Sequence, residues 1–399
     1  MSETPWLTII GLGEDGLKGL ASASRSALAA AEIVMGPARH LALLGDLNAE
    51  VITWPVPFSE GIERLIALRG RRVVVLASGD PFWYGAGATL APHIEPQEWQ
   101  SYPAPSTFSL VANRLGWSLE KSHCVGLHAA PLSRLRPDLA QGVQVIVLLR
   151  DGVAVGDLAT YLTSEGFPDS ALHVFEAIGG PRERVSTGRA SALPDLEYQH
   201  PVCVACEISG SARVLPVATG RADDWFDSDG QITKRPIRAL TLSALAPVPF
   251  EHLWDIGGGS GSIGIEWLLS HPTLRATTIE PRRERAERIA ANAARLGVDR
   301  LKIITGSAPD ALMGLEKPDA VFIGGGLSQH LLDWIYDNLG AGTRIVANAV
   351  TLETEALLVA TQVQQGGDLM RVALSHAEPL GSRRGWKASY PIVQWSVTL

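Results

Sequence analysis

The stretch Asp255-Ile-Gly-Gly-Gly-Ser-Gly261, with Glu280-Pro281-Arg282 further on, holds the residues of this chain best suited to chemistry. Gly257, Gly259 and Gly261 allow a tight turn and let the backbone approach a ligand with no Cβ in the way. Leu253–Ile256 reads as the end of a buried strand. Ser262–Ser270 reads as a helix whose free N–H groups face the same ligand. Glu280 ends the next strand, where a carboxylate accepts hydrogen bonds from ribose hydroxyls. The pattern is a nucleoside-binding strand, turn, helix and strand. Gly259-x-Gly261-x-x-Gly264 formally satisfies the dinucleotide fingerprint. Asp255 argues against a dinucleotide, because a carboxylate there would repel a pyrophosphate, whereas S-adenosylmethionine brings an ammonium and a sulfonium. The residues therefore favour S-adenosylmethionine over NAD. The bland alternative is a glycine-rich turn that binds nothing, but four glycines in five residues cost more conformational entropy than packing requires.

The elements around this turn alternate strand and helix. Leu253–Ile256, Ala276–Glu280, Lys302–Thr305, Ala320–Ile323, Arg344–Ala349, Met370–Ser375 and Ser389–Val397 read as strands, with helices at Arg282–Leu296 and Gln329–Asn338. That alternation predicts a mostly parallel sheet with helices on both faces. The last two strands have only the loop Glu378–Lys387 between them and are expected to pair antiparallel at the sheet edge. Before Ser209 a second set of short apolar runs appears: Trp6–Ile10, Arg72–Leu76, Gln144–Leu149, His173–Glu176 and Val202–Ile208. The chain has 399 residues, too many for one typical core. The expected organisation is a domain at 1–209, a linker at 210–230 and a domain at 231–399. The middle stretch is acidic, lacks periodicity and ends on glycine.

Bulk properties exclude some classes. The net charge is −8, with no basic block, which speaks against nucleic acid as a partner. No apolar run reaches a membrane span and Met1–Pro5 lacks a signal-peptide pattern, so no membrane and a cytoplasmic location are expected. Cys203-x-x-Cys206 falls in a strand, where residues three apart point to opposite faces, and no second pair completes a site. The cysteines read as buried structural thiols, and no metal is expected.

Asp255-Ile-Gly-Gly-Gly-Ser-Gly, Gly306-Ser-Ala-Pro-Asp-Ala-Leu, Val321-Phe-Ile-Gly-Gly-Gly and Val346-Ala-Asn-Ala-Val-Thr-Leu-Glu-Thr together resemble the C-terminal half of the cobalamin-pathway precorrin methyltransferases. The lead-in Gln231-Ile-Thr-Lys-Arg-Pro-Ile-Arg-Ala-Leu-Thr-Leu looks like that family's opening helix. The resemblance implies an α/β fold of the class I Rossmann-like methyltransferase type with an antiparallel last strand. It assigns Gly257, Gly259 and Gly261 to the methionine end of the cofactor, Glu280 to ribose, Ser307 and Ala308 to adenine, and Gly324 and Asp255 to the same site. Gly258 stands where the family often has cysteine, a change expected to be harmless. Ser307 replaces a common aspartate, which leaves the Ala308 N–H as the surer adenine contact. Asn348, at a strand end facing the cofactor, reads as either a catalytic residue or a turn cap. Arg383, Arg384 and Lys387 read as either a solvated loop or a carboxylate clamp. Lys234 and Arg238, flanking the cofactor turn, are expected to join Arg383 and Arg384 in pairing with substrate carboxylates.

In the first half, Gly11-Leu-Gly-Glu-Asp-Gly also fits Gly-x-Gly-x-x-Gly, but the next helix is expected only near Ser22, so this turn does not open a helix as a dinucleotide site requires. Leu76-Ala-Ser-Gly-Asp-Pro-Phe-Trp-Tyr-Gly, Pro103-Ala-Pro-Ser-Thr-Phe-Ser-Leu and Phe175-Glu-Ala-Ile-Gly-Gly-Pro-Arg-Glu-Arg resemble the tetrapyrrole methylase family over about residues 5–208. The resemblance implies a two-lobed class III fold with the cofactor in its cleft. It carries over Gly79, Asp80 and Pro81 on one cofactor loop and Ser106 and Thr107 on the other. Glu14 stands where that family commonly has proline. Both resemblances together imply methyl transfer from S-adenosylmethionine to C-5 and C-15 of a precorrin. They also imply loss of carbon dioxide from the C-12 acetate, with the second half methylating C-15 and decarboxylating. They suggest a homo-oligomer, a tetramer through the second half. Two other readings stay open: a nucleic-acid methyltransferase on the same second fold, and a non-catalytic binder of S-adenosylmethionine or tetrapyrrole.

Overall fold

A computed structural model describes residues 5–399. The chain divides into two compact units, one comprising the chain up to Leu132 with Asp138–Arg213, the other Ser133–Pro137 with Val214–Leu399.

The first unit is built on two sheets. Strands β1 (Leu7–Leu12), β2 (Ile33–Gly36), β3 (Glu50–Thr53), β4 (Val73–Ser78) and β5 (Trp99–Tyr102) form a parallel sheet in the order β3-β2-β4-β1-β5. Its centre is the paired apolar runs of β1 and β4, buried on both faces as a parallel strand covered by helices requires. Strands β6 (Ser122–Gly126), β7 (Gln144–Leu148), β8 (Ala171–Glu176), β9 (Arg184–Arg189) and β10 (Val202–Glu207) form the second sheet, ordered β6-β7-β10-β8-β9. Only β6 and β7 are parallel there. Cys203 and Cys206 both lie within β10 and are buried as free thiols, and burial raises the pKa of both, Cys206 to about 12.

The second unit centres on a seven-stranded sheet. Its strands are β11 (His252–Ile256), β12 (Arg275–Glu280), β13 (Lys302–Thr305), β14 (Ala320–Ile323), β15 (Arg344–Ala349), β16 (Asp368–Val372) and β19 (Ile392–Thr398). The order is β13-β12-β11-β14-β15-β19-β16, with β19 antiparallel to both its neighbours and the rest parallel. The expected antiparallel pair at the edge is therefore present. The segment expected as a plain loop is instead a separate hairpin, β17 (Ser375–Leu380) with β18 (Arg383–Ala388). The strand order reverses between β11 and β14, and a ligand crevice belongs at such a switch point, at the C-terminal strand ends. Apolar clusters cover both faces, one around Trp267 and Ile289, the other around Trp254, Ile335 and Trp395.

The acidic stretch expected as a linker is packed. Leu215, Trp225 and Phe226 sit in the second unit's core. Its charges are held by partners in place of a periodic apolar face, so hydrophobic patterning could not find it. Among the described residues no helix is long and apolar enough to cross a membrane, and no group of three or more His, Cys, Asp or Glu could hold a metal ion.

Candidate active sites

In the second unit a cavity of about 1340 Å³ opens at the C-terminal ends of β11, β12 and β14. The turn after β11 forms its floor. Gly257 and Gly259 adopt φ of +78° and +59°, and a Cβ on Gly257 would stand 2.6 Å from the Gly325 nitrogen, so the two glycine turns touch backbone to backbone. Glu280 is buried at the end of β12. One of its oxygens accepts from the Gly259 N–H at 2.8 Å and the other from the Arg282 N–H at 3.0 Å. Each carboxylate oxygen keeps a second lone-pair direction for a ligand hydroxyl. Gly306, Ser307 and Ala308 line the next stretch of wall, after β13, and Gly324 another, after β14.

Asn348, near the end of β15, also lines the cavity. Its amide is fixed: Nδ2 donates to Thr241 Oγ1 at 2.9 Å, and Oδ1 accepts from Gln394 Nε2 at 2.9 Å. Gln394 Nε2 also donates to Thr241 Oγ1 at 3.1 Å. It is a side chain held by two buried neighbours, with one N–H left over, rather than a turn cap.

Five expected site residues lie elsewhere. Asp255 is fully buried inside the sheet, where Oδ2 accepts from the Gly264 N–H at 3.1 Å and Thr278 Oγ1 at 3.2 Å. It is not among the cavity-lining residues. Burial pushes its pKa up to about 7, and the Glu280 charge adds to that. A carboxylate half-protonated near neutrality and turned inward does not set the sign of a ligand, so the charge argument drawn from Asp255 fails. Gly261 serves the helix start: φ is +76°, and a Cβ would stand 2.7 Å from Ile289 Cγ2. Arg238 has no exposed surface and pairs with Glu266 at 2.7 Å and Asp223 at 3.0 Å, so it cannot reach a substrate. Arg383 and Arg384 stand exposed near the hairpin tip, away from the cavity wall. Of the four expected carboxylate partners, only Lys234 lines the cavity.

The cations found in their place are Arg235 and Arg282, cavity-lining and exposed, with no acidic partner for either guanidinium among the described residues. Lys387, from β18, also lines the cavity, paired with Glu378 at 2.9 Å. Arg282 stands two residues after the ribose-type Glu280, and that proximity was the signal available in the sequence. Gly258 also departs from expectation. A Cβ there would meet Thr278 Cγ2 at 2.2 Å, so in this chain the position admits no side chain without moving a buried threonine.

In the first unit the two expected loops meet. Gly79 has φ +51°, and a Cβ on it would stand 2.9 Å from the Pro105 carbonyl oxygen and 3.0 Å from Ser106 Cα. Asp80 Oδ1 accepts from the Phe82 N–H at 2.8 Å, and Pro81 is buried behind it. Ser106 caps the helix Thr107–Leu115 by accepting from the Ser109 N–H at 3.1 Å. Gly11 lies inside β1, where a Cβ would collide with the Gly79 carbonyl oxygen at 1.9 Å. That glycine is spent on close packing, and the following helix starts at Ser22, as the motif's misfit implied. Glu14 is nearly buried and accepts from Arg39 and, at 3.3 Å, Arg182. Two arginines thus compensate the charge that stands where proline is common. His40 beside them is held down to about 4 by burial and by the Arg39 charge, so it is neutral.

Two glycine turns on two different α/β folds mark one candidate site in each unit, and the families that the two units match give the class: methyltransferase. A family model for tetrapyrrole (corrin/porphyrin) methylases matches residues 6–194, and one for the precorrin methyltransferase domain matches 224–399. A "Precorrin-6Y C(5,15)-methyltransferase [decarboxylating]" of Sinorhizobium sp is 49% identical over 99% of this chain and 97% of its own. The "Cobalt-precorrin-6B C(15)-methyltransferase (decarboxylating)" of Salmonella typhi is 34% identical over 166 residues, 40% of this chain and 85% of its own. The solved C-terminal domain of the Rhodobacter capsulatus precorrin-6Y C5,15-methyltransferase is 53% identical, covering 46% of this chain and all of that one, with a TM-score of 0.45. The chain belongs to the precorrin-6Y C(5,15)-methyltransferase (decarboxylating) family.

Proposed function

We propose that this chain methylates a precorrin at C-5 and C-15 and removes the carboxyl group of its C-12 acetate, with S-adenosylmethionine as methyl donor, in cobalamin biosynthesis. The observation that carries the reading is the pairing of two glycine-turn sites in a chain aligned end to end with a relative bearing that name. The first unit takes C-5. The second takes C-15 and the decarboxylation. Supporting that division, a relative named only for C-15 methylation and decarboxylation matches a stretch no longer than one unit. Relatives that are named enzymes of precorrin chemistry favour neither a nucleic-acid methyltransferase nor a non-catalytic binder.

The second cavity fits the donor. Glu280 would hold the ribose hydroxyls, the Gly257–Gly259 turn the methionine end, and Ser307 with the Ala308 N–H the adenine. About 1340 Å³ exceeds what a single drug-sized ligand needs, leaving room for a macrocycle beside it. S-adenosylmethionine, when bound, supplies an electrophilic methyl group. The residues of this chain then have little bond chemistry to perform. A reduced tetrapyrrole carries its own nucleophilic meso carbon, so alignment and exclusion of water remain. Arg235 and Arg282 would hold substrate carboxylates at the rim, and Asn348, with its amide fixed, would orient the macrocycle. In the decarboxylation the C–C bond to the carboxylate breaks, its electron pair enters the macrocycle, carbon dioxide leaves and a proton returns to carbon.

Two full-length variants test the division. Glu280→Gln should leave a product with one added methyl, at C-5. Gly79→Val should leave C-5 bare. Mass spectrometry and carbon-13 methyl resonances read both outcomes. A C-15 methyl undiminished in Glu280→Gln would overturn the assignment of that transfer to the second unit.

A further inference from the structure

Residues 227–234 form an irregular strap along one wall of the second cavity, between the short turn Asp223–Trp225 and the helix Arg235–Leu245. Irregular chain beside a ligand site is ordinarily mobile, because few hydrogen bonds hold it. Here both ends are tied. At the near end Asn292, buried, accepts from the Asp227 N–H at 3.0 Å and donates to the carbonyls of Asp227 and Ser260 at 2.9 and 3.0 Å. Ser260 belongs to the cofactor turn, so this one amide joins strap to turn. Asp229 pairs with Arg285 at 2.8 Å. Between the ties, the Gln231 carbonyl oxygen lies 3.1 Å from where a Cβ on Gly259 would stand, so the strap rests on the turn itself.

The far end is tied through charges that have no exposed surface. Glu266, on the helix that follows the cofactor turn, accepts from the N–H groups of Gly220 and Arg221 at 2.7 and 3.0 Å, from Arg221 NH1 at 3.4 Å and from Arg238 Nε at 2.7 Å. These four bonds use the whole capacity of a carboxylate. Arg238 extends the network outward: its guanidinium donates to the carbonyls of Thr233 and Arg221 and to Asp223 at 3.0 Å, and lies 4.8 Å from the Phe226 ring centroid. Asp223 in turn accepts the Arg235 N–H at 2.9 Å, capping the helix that begins at the end of the strap. Buried ion pairs are a poor source of net stability, since an apolar pair of like volume does as well. What apolar side chains cannot do is hold the carbonyl of Thr233.

We infer that the Arg238–Glu266 pair is a positioning device: it sets the strap against the cofactor turn and so fixes the cofactor pocket and the display of Lys234 and Arg235. The inference rests on reading the cavity as a methyl-donor site. Neither residue lines the cavity.

The test is the double substitution Arg238→Met/Glu266→Leu in the full chain, which removes both buried charges and keeps their volume. Thermal unfolding should remain cooperative with a lowered midpoint, because buried Arg221 and the N–H groups of Gly220 and Arg221 lose their acceptor. The second unit's S-adenosylmethionine dissociation constant, by calorimetry in the Gly79→Val background that disables the first site, should rise at least tenfold (about 1.4 kcal/mol), and amide exchange over residues 228–236 should accelerate. A purely structural pair would lower the midpoint alone and leave the affinity and the strap's exchange unchanged. If the double variant does not fold, Arg238→Lys decides. It keeps the charge opposite Glu266 but cannot bridge to Thr233 and Arg221 at once, and should show the same loss more weakly. A folded variant of either kind with the parent's affinity and unchanged strap protection overturns the inference. If the parent itself binds no S-adenosylmethionine, the functional reading fails instead, and exchange over the strap alone decides the positioning role.

Discussion

Asp255→Asn separates two readings of the residue that precedes the cofactor turn. In the folded chain burial raises the Asp255 carboxyl from its ordinary 3.8 to about 7, against the pull of hydrogen bonds from Gly264 and Thr278. A folded pKa above the unfolded one means that the folded state binds the extra proton. Stability is therefore greatest below about pH 4 and declines as pH rises toward 7. The full span corresponds to about 4 kcal/mol. Between about pH 5 and about pH 8 the part lost is roughly 2.5 kcal/mol. Asparagine does not titrate, and its carbonyl can still accept from Gly264 and Thr278. Its NH₂ takes the place of Oδ1, since both hydrogen bonds of Asp255 fall on Oδ2, and burying that donor costs about 1–3 kcal/mol at every pH. The variant should thus be weaker than the parent at about pH 5 and should gain on it by roughly 2.5 kcal/mol at about pH 8. Urea unfolding of both full-length proteins at the two pH values measures this, and comparison at one pH cancels the first unit's contribution. A parent–variant difference that is the same at both pH values would refute the reasoning, because Asp255 would then be ionised throughout. Calorimetry with S-adenosylmethionine supplies the second arm. Since Asp255 does not line the cavity, affinity should change by less than about threefold, below 0.7 kcal/mol. A hundredfold loss would restore the carboxylate as a ligand contact.

Gly258→Cys should destabilise the second unit by about 1–3 kcal/mol, because the new Cβ meets Thr278 Cγ2; adding Thr278→Ser, which removes that methyl, should recover most of the loss in thermal unfolding. The pair Arg235→Gln/Arg282→Gln should raise the Michaelis constant for the precorrin about tenfold with kcat little changed, as expected when a charge-assisted pair is lost from uniform binding, whereas Arg383→Gln/Arg384→Gln should leave it within about twofold; steady-state kinetics on C-15 methylation compare them. Ser106→Ala should cost about 1 kcal/mol by uncapping the helix Thr107–Leu115, and should weaken C-5 methylation while sparing C-15, read from the methyl count of the product.

The second unit was far more legible in the sequence than the first. β14 and β15 are apolar, largely buried runs and β13 a short β-branched run closed by Gly306, so all three begin and end where the residues suggest, and the helix Gln329–Asn338 starts directly after its Ser328 cap. In the first unit β3, β6 and β9 escaped notice because each is largely exposed or half-exposed, with no long apolar run to mark it. β2 is buried but only four residues long, and β5 is half-buried along its length. The cofactor turn was readable because glycine is diagnostic where φ is positive. The arginines were not, because sequence gives no sign of whether a guanidinium faces inward: Arg235 and Arg238, three apart on one helix, end as a cavity-lining cation and a buried strut. Asp255 misled for the same reason, as a charge whose meaning depends on the direction its side chain takes.

The packed stretch after Arg213 also bears on how such a chain can be re-engineered. Leu215 is already part of the second unit's core, and the chain from there to Lys234 is wall and buttress of its cavity. Residues 216–219 run exposed within it. A spacer inserted at Gly220 to lengthen the tether between the two enzymes would pull a backbone donor from Glu266 and deform the second site. A spacer at the Arg213–Val214 junction would leave the bonds of Glu266 in place. A cut there that separates the halves would still strand Ser133–Pro137, which belongs to the second unit, on the first fragment.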